Sequence, residues 1–299
     1  MRRPGQLPMQ EISKLMDLLS KAVTVAMLSF VVSSMLAMGA GLTVAQIIEP
    51  LRNARLVMLV LLANFIVMPL VAFSLAKVLR LEQPFGVGLL LLGCAAGAPF
   101  LPKLAELAKG NLAFAVGTMV LLMVVTVGYL PIVLPLLLPG VTVNSWKIVR
   151  SLVPLMLLPL VAGLALRWRY EDLAARAKPV LSWISNVSLI LLSLLIIAKN
   201  IDKVLEVFGT RGILAGLLFI AIGCGIGWLL GGPDTDTRRV MALGTGQRNV
   251  AAALLVASQS FDDPKVLVMV IVVATIGLLI LMPGARALAN PRLARSNLS

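Results

Sequence analysis

A short polar run interrupts a long apolar stretch near the C-terminal end of the chain. Residues 244–249 read Gly-Thr-Gly-Gln-Arg-Asn, with apolar residues on both sides. A guanidinium binds a carboxylate through two parallel hydrogen bonds, and neighbouring amide and hydroxyl groups add further bonds. The run therefore predicts a binding site for an organic anion. Its side-chain members are Thr245, Gln247, Arg248 and Asn249.

Arg248 is the most informative of these residues, because a cation within an apolar span costs about 3 kcal/mol or more. It could bind a substrate carboxylate, assisted by the N-terminus of the helix that follows. It could instead clamp backbone carbonyls of another interrupted helix, or lie nearer the membrane interface. The first two roles are compatible, and the sequence leaves them open.

Asn64 and Thr118 extend the predicted substrate site to two earlier apolar segments. Asn64 is the only amide in its segment, although buried amides also bond between helices simply to hold a bundle together. Thr118 and Thr126 lie eight residues apart, and threonine in membrane helices commonly bonds to its own helix carbonyls. The oxygens of Asn64 and Gln247 could form a residual sodium site.

Several classes of function are excluded. The chain has no histidine and only two cysteines, Cys94 and Cys224, which lie within separate apolar segments. No Asp or Glu lies at the centre of an apolar segment, so no catalytic acid pair or metal-ligand set is visible. The 26 Lys and Arg exceed the 13 Asp and Glu, but they sit mostly between the apolar segments. We therefore predict no enzyme, no cofactor and no nucleic-acid partner.

The elements that must position these residues are transmembrane helices. The chain of 299 residues is 60% hydrophobic and only 13% charged, about half the charge of a soluble domain. A bilayer core about 30 Å thick needs roughly 20 apolar residues per helix, and nine such segments are found. We place them at 22–42, 56–76, 85–102, 112–138, 151–166, 180–198, 212–230, 240–258 and 266–285. The class is an all-α polytopic membrane protein.

The third and eighth predicted spans are both interrupted. Residues 92–102 read Leu-Gly-Cys-Ala-Ala-Gly-Ala-Pro-Phe-Leu-Pro, in which small residues precede two prolines. Proline removes a helix N–H, and an unwound backbone at membrane depth must lie within protein or line a cavity. The two interruptions are five spans apart, so the helices run in opposite directions, as in inverted-repeat transporters. The predicted break residues are Gly97, Pro99, Pro102, Gly244 and Gly246.

The connections between spans are too short for a soluble domain, so we predict a single membrane domain over 1–299. It has an N-terminal tail or interfacial segment at 1–20, a bundle at 22–285 and a C-terminal tail at 286–299. Lys and Arg favour the C-terminal side, which places the C-terminus in the cytoplasm and the N-terminus outside. Arg2 and Arg3 argue against that N-terminal placement. The cell membrane is the expected location.

The residues that form these patterns also resemble a known family. Residues 38–43, 64–70, 97–111 and 244–249, in this order and spacing, are similar to the bile acid:sodium symporter family over residues 25–285. The resemblance implies inverted repeats with two crossing broken helices in a core domain. It also implies a panel domain of spans one, five and six, with nine spans instead of ten.

The resemblance also shows where this chain departs from the family. Gly244 and Arg248 stand where the family has a glutamate and a glutamine, and Asn64 replaces another glutamine, whereas Asn249 matches. Leu101-Pro102 replaces a Ser-Asn pair, and two hydroxyl residues are replaced by Ala115 and Met119. Most sodium ligands are thus absent, and Arg248 could supply their charge.

The function predicted from these features is secondary active transport of a small organic anion by alternating access. Coupling to sodium would then be weak or absent. The alternatives are a sodium-independent facilitator or channel-like anion pore, and a membrane component that transports nothing. The expected partners are the organic anion and the lipid bilayer, with no protein partner indicated.

Overall fold

Helices form all regular structure in the part of the chain that the computed structural model describes, residues 9–138 and 144–289. A helix satisfies its own N–H and C=O groups, which a bilayer interior requires. In chain order the helices are α1 (Met9–Ala40), α2 (Val44–Ile48), α3 (Ala54–Leu62), α4 (Met68–Val78), α5 (Gln83–Cys94), α6 (Leu101–Leu107), α7 (Leu112–Leu137), α8 (Ser145–Leu152), α9 (Leu158–Arg169), α10 (Glu171–Lys199), α11 (Ile201–Gly209), α12 (Gly212–Leu230), α13 (Thr235–Gly246), α14 (Val250–Ser260) and α15 (Pro264–Leu288).

Eight segments among the described residues are long and apolar enough to cross a membrane. They confirm the prediction of a polytopic α-helical membrane protein. The third predicted span takes a different form, because it consists of two short helices, α5 and α6, separated by a break. The eight segments are Leu18–Ala40, Ala54–Val78, Leu112–Leu137, Ser145–Arg169, Glu171–Lys199, Gly212–Leu230, Thr235–Ser260 and Pro264–Leu288.

The first span is longer than its apolar composition indicated. Helix α1 runs without interruption from Met9 to Ala40, so the predicted interfacial segment and the first span share one helix. Only part of each predicted tail can be compared, because residues 1–8 and 290–299 lie outside the described ranges.

The helices pack in two groups. Helix α1 packs along α9 and α10, whereas the interrupted helices α5–α6 and α13–α14 pack with α7, α12 and α15. Gly39 of α1 and Gly163 of α9 face one another so closely that a Cβ on either would overlap the other helix's backbone. Small residues permit this close approach of two membrane helices.

Two spans contain a π-helical turn directly before a proline. Residues 63–67 form such a turn between α3 and α4, and residues 153–157 form one between α8 and α9. Pro69 and Pro159 follow within two residues of each turn. Since proline has no N–H, carbonyls four or five residues earlier lose their usual partner and can bond elsewhere.

The interrupted helix α13 is held against α12 by a second small-residue contact. A Cβ on Gly227 of α12 would overlap the carbonyl of Met241 and lie 2.7 Å from the Cα of Ala242. By contrast, Gly225 has nothing within 4 Å of its Cβ position. The position of α13, and therefore of the polar run at its end, depends on Gly227 remaining without a side chain.

We predict that Gly227→Ala lowers the melting temperature by several degrees, since overpacking a tight contact costs about 1–3 kcal/mol. Gly225→Ala, two residues away on the same helix, is the matched control. It should leave the melting temperature unchanged or raise it slightly, because alanine favours helix by up to about 1 kcal/mol. Thermal unfolding of the detergent-purified proteins measures both, and equal behaviour of the two variants would contradict the packing described here.

Candidate functional site

The first break contains glycine and proline, whereas the glycines near the second break lie in the helix before it. The first break comprises residues 95–100 and contains both Gly97 and Pro99. Pro102 lies just beyond it, in the first turn of α6, where a missing N–H leaves no helix bond unmade. The second break is only Gln247–Asn249, so Gly244 and Gly246 are helical residues of α13.

Gly97 gives the first break its shape. Its φ is +82°, a conformation that L side chains rarely adopt. A Cβ at Gly97 would overlap the backbone N of Met123 and lie 2.7 Å from the carbonyl oxygen of Met119, both on α7. The unwound backbone therefore lies directly against α7, inside the protein.

The two glycines of α13 allow close packing instead of unwinding. A Cβ at Gly246 would overlap the sulfur of Cys224 on α12, and one at Gly244 would lie 3.0 Å from the side chain of Leu101. Gly244 thus lies next to the start of α6, where the first interrupted span resumes. The helix ends only where the three consecutive polar residues begin.

Arg248 is buried, with only 5% of its surface exposed, and its guanidinium is surrounded by protein oxygens. Its Nε donates to the carbonyl of Leu92 at 2.8 Å, and Nη2 donates to that of Gly93 at 2.6 Å. Nη1 donates to Asn64 Oδ1 at 2.7 Å and to the Thr245 carbonyl at 3.3 Å. Nη2 also approaches the Asn64 carbonyl at 3.4 Å.

These contacts place the positive charge at the carboxyl end of α5. The last carbonyls of a helix lack intrahelical partners and carry a partial negative charge equivalent to roughly half an electron. Leu92 and Gly93 belong to that last turn. All five oxygens that accept from Arg248 are amide or carbonyl oxygens. The helix end therefore supplies the negative potential that a carboxylate would supply elsewhere.

The π-helical turn of the second span supplies the Asn64 carbonyl and one further oxygen, the Phe65 carbonyl. Pro69 cannot donate to the carbonyls of Asn64 and Phe65, which lie five and four residues before it. The Asn64 carbonyl faces Arg248, and the Phe65 carbonyl accepts from the hydroxyl of Tyr129. The Asn64 side chain completes the arrangement, donating from Nδ2 to the Val60 carbonyl while Oδ1 faces Arg248.

Asn249 joins the two breaks directly. Its backbone N–H donates to the carbonyl of Ala95 at 2.9 Å, and its Nδ2 donates to that of Gly97 at 3.1 Å. Its Oδ1 accepts from the N–H of Ala252 and so caps the start of α14. One fully buried side chain thus satisfies groups of both interrupted spans.

Thr126 links helix α7 to the first break. Its hydroxyl accepts from the N–H of Ala96 and donates to the carbonyl of the same residue, both at 3.0 Å. The expectation that Thr126 bonds to its own helix is therefore wrong, because the first break presents free backbone groups beside it. Thr118 is buried on the same helix, and within the described residues its hydroxyl bonds to neither break.

Two buried side-chain oxygens next to Arg248 have no hydrogen-bond partner. They are Thr245 Oγ1 and Gln247 Oε1. Buried polar atoms are seldom left unpartnered, and such atoms commonly face an ion, a water molecule or a ligand. The other oxygen of the predicted residual sodium site, Asn64 Oδ1, already accepts from Arg248. Among the described residues no group of three or more acidic, histidine or cysteine side chains is placed to hold a metal ion.

The structure therefore brings Asn64, Thr245, Arg248 and Asn249 together at one crossing, with Gln247 beside them. Sequence analysis did not identify Tyr129, although the proline five residues after Asn64 signals that carbonyls in that segment need another donor. The crossing presents the N-terminus of α14 together with a fixed cation. This combination favours a negatively charged group.

Comparison with known proteins gives a consistent result. A family model described as the sodium bile acid symporter family matches residues 27–207. The chain is 27% identical over 245 residues to the uncharacterized sodium-dependent transporter YocS of Bacillus subtilis, covering 76% of this chain and 72% of that protein. It is 25% identical over 269 residues to the human hepatic sodium/bile acid cotransporter, covering 84% and 73%.

A plant relative is longer. The probable sodium/metabolite cotransporter BASS1 of Arabidopsis thaliana, a chloroplastic protein, is 29% identical over 239 residues. The alignment covers 77% of this chain but only 58% of the plant protein. All three relatives are named as transporters.

We predict that Thr126→Val destabilises the protein by about 1–3 kcal/mol, because it leaves the buried N–H of Ala96 without a partner. Thr275→Val is the control, since the hydroxyl of Thr275 only bonds back to Ile271 of its own helix. Its removal should cost about 0.5 kcal/mol or less. Melting temperatures in detergent test both changes, and an unaffected Thr126→Val protein would show that the link to the first break is dispensable.

Proposed function

The chain belongs to the sodium bile acid symporter family, a family of transporters, and we propose that it carries a small organic anion across the membrane by alternating access. Membership confirms the predicted family and agrees with the prediction that the chain is not an enzyme. The multiple apolar helices make it an integral, multi-pass membrane protein. The proposal concerns the substrate class, the transport mode and the coupling.

The crossing of the two interrupted helices is the observation that carries the proposal. Discontinuous helices meeting inside a bundle are a common site of substrate binding in secondary transporters, and their N-termini favour anionic groups. Here α14 begins at the crossing, and Arg248 adds a fixed positive charge. The family relatives include proteins named for bile acids and for metabolites, which is in keeping with an organic substrate.

The two helix groups provide the means of movement. Helices α1, α9 and α10 pack as one group, and the interrupted helices pack with α7, α12 and α15 as another. Asn249 and Arg248 tie the two interrupted helices together through their breaks. We propose that this second group moves as a body relative to the first, as panel and core domains would.

Arg248 also bears on ion coupling. Its guanidinium takes up the carbonyl oxygens of Leu92 and Gly93 and the amide oxygen of Asn64. A sodium ion at this place would need oxygens of the same kind and would be repelled by the guanidinium. We propose that Arg248 provides permanently the positive charge that a coupling ion would bring. Transport by this chain would then depend weakly on sodium or not at all.

Uptake into proteoliposomes tests the transport mode and the coupling together. Suitable substrates are radiolabelled anions of graded size, such as acetate, benzoate, 2-naphthalenesulfonate and taurocholate. We expect saturable uptake of at least one of them. Its rate in a sodium gradient should equal that in a potassium gradient within about twofold, because an ion that favours neither state shifts no equilibrium.

Strong stimulation by sodium would contradict the proposed role of Arg248 while leaving the carrier proposal intact. A rate that increases linearly with concentration and is not inhibited by the other anions would indicate a channel-like pore instead. Protein-free liposomes provide the background rate in every condition.

The Arg248→Gln variant tests more directly whether the guanidinium takes the place of a bound cation. Removing the guanidinium frees several oxygens in one place, so we expect the variant to be stabilised by sodium relative to choline. The expected result is a rise of several degrees in melting temperature in sodium chloride, together with loss of anion uptake in sodium-free buffer. The wild-type protein should melt at the same temperature in both salts, since a ligand stabilises only a state that binds it.

Arg55→Gln is the matched control, because Arg55 is exposed at the start of α3 and has no salt bridge within the described residues. It should behave like the wild type in both salts. Equal stabilisation of the wild type and Arg248→Gln by sodium would show that Arg248 does not occupy an ion's place. Unchanged anion uptake by Arg248→Gln would assign the residue a purely structural role.

A further inference from the structure

A pocket with charged and apolar lining lies away from the crossing, between α8 and α14. Its volume is about 530 Å³, within the range of small-molecule sites. Helix α8 and the turn after it contribute Trp146, Lys147, Arg150 and Leu155, whereas Gln259 comes from the last turn of α14. The pocket is therefore bounded by one helix that continues into α9 and by the second half of an interrupted helix.

The pocket contains two cations without acidic partners. Lys147 and Arg150 lie three residues apart, on one side of α8. Within the described ranges neither forms a salt bridge, whereas Lys103, Arg167, Lys203, Arg239 and Lys265 all do. The guanidinium of Arg150 lies 5.0 Å from the ring centre of Trp146, a cation–π contact that restrains it.

No acidic side chain is among the described residues that line the pocket. Asp262 and Asp263 follow α14 closely in the chain, but neither lines the pocket. Asp263 caps the start of α15 through the N–H of Lys265. The side chain of Lys265 in turn pairs with Glu82 and Glu206. The acidic side chains of this membrane face are thus partly engaged elsewhere, and the pocket keeps an excess of positive charge.

We propose that this pocket binds an amphipathic organic anion, with its carboxylate or sulfonate on Lys147 and Arg150 and its apolar body against Pro154 and Leu155. The inference rests on the transport function proposed above and adds a second binding position to it. Gln259 lies ten residues beyond Asn249 along α14, or about 15 Å at 1.5 Å per residue. The pocket thus lies at the membrane face opposite the end of α15, at the far end of the helix that starts at the crossing.

An anionic lipid headgroup offers the same chemistry, because Trp, Lys and Arg are common at membrane interfaces. A soluble organic anion is favoured by the contribution of Gln259. Its place in the pocket means that the space extends between α8 and α14 and does not lie only on the outer face of α8. The experiment distinguishes the two sources.

The first measurement reads the local charge without requiring transport. Gln259→Cys is reacted with an anionic reagent, sulfonatoethyl methanethiosulfonate, and with a cationic reagent of the same class that carries trimethylammonium. The parent chain with its native Cys94 and Cys224 provides the background rate. We expect the ratio of anionic to cationic rate to fall about tenfold when Lys147→Gln and Arg150→Gln are added, since two cations lining the same pocket attract the anionic reagent and repel the cationic one.

Lys77→Gln is the matched control. Lys77 also lies over an aromatic ring four residues earlier, Phe73, and forms no salt bridge in the described part of the chain. It should leave the rate ratio unchanged. An unchanged ratio in the Lys147→Gln/Arg150→Gln protein would overturn the proposal, because the two cations would then not determine the potential of the pocket.

Ligand protection identifies the occupant. Taurocholate and 2-naphthalenesulfonate should slow the reaction of Gln259→Cys in liposomes of neutral phosphatidylcholine. Protection that instead requires phosphatidylglycerol, with neither soluble anion having an effect, would make the pocket a lipid site and overturn the proposal. Protection by a soluble anion in neutral lipid supports it.

Uptake kinetics connect the pocket to transport. The Lys147→Gln/Arg150→Gln protein should show a KM for taurocholate or 2-naphthalenesulfonate raised about three- to tenfold with the maximal rate retained, as expected for exposed ion pairs. An unchanged KM, with Lys77→Gln also unchanged, would overturn a role in transport. If the wild type transports no anion, the transport proposal itself fails, whereas the reagent-rate ratio still reports the charge of the pocket.

Discussion

An interrupted helix inside a bilayer must find partners for its free backbone groups within the protein, and this requirement organises the whole centre of the molecule. At the carboxyl end of α5 the requirement is met by Arg248, whose planar fork reaches two carbonyls of the same turn. At the first break it is met by Asn249 and Thr126. Several kcal/mol would be lost for each such group left unpaired in hydrocarbon. The polar residues at the crossing therefore satisfy the fold before they could serve a substrate.

At the crossing, Arg248 supplies the positive charge and also the hydrogen bonds to free backbone carbonyls. An arginine can saturate five oxygens at fixed angles, which a monatomic ion cannot do with the same directional preference. It is also part of the chain itself, in the break before α14, so the charge cannot leave when the protein changes conformation. In a transporter that uses a diffusible cation at this place, binding and release of the cation would accompany each cycle. The arrangement in this chain is consistent with a crossing whose electrostatics stay constant.

The sequence predicted the membrane class, the two interruptions and the polar run at the second of them, because polar runs and clustered glycine and proline are rare within membrane spans unless a helix is broken there. It was less accurate about where the breaks begin. Gly244 and Gly246 suggested unwinding, yet both are helical, because their lack of side chains serves packing against Leu101 and Cys224. Composition alone does not separate a glycine that unwinds a helix from one that permits close contact.

Long-range partners were the least predictable feature. Thr126 bonds to a break thirty residues earlier in the chain, and Tyr129 bonds to a carbonyl freed by Pro69. Both contacts depend on how α7 is placed against other helices, which no local pattern specifies. The substrate-binding and sodium-binding roles of Asn64, Gln247 and Thr118 stay predictions, because they depend on a ligand and not on contacts within the chain.

The π-helical turn at residues 63–67 has a consequence for the architecture of the second span. Such a turn contains one residue more than the α-helix would use for the same advance. Each residue turns an α-helix by about 100°, so the extra residue sets the angular relation between the two halves of this span. Removing one residue here would rotate α4 relative to α3 by roughly that angle. A rotation of that size would turn part of the face of α4 that now packs toward the lipid, so the extra residue keeps the buried faces of α3 and α4 in their present relation.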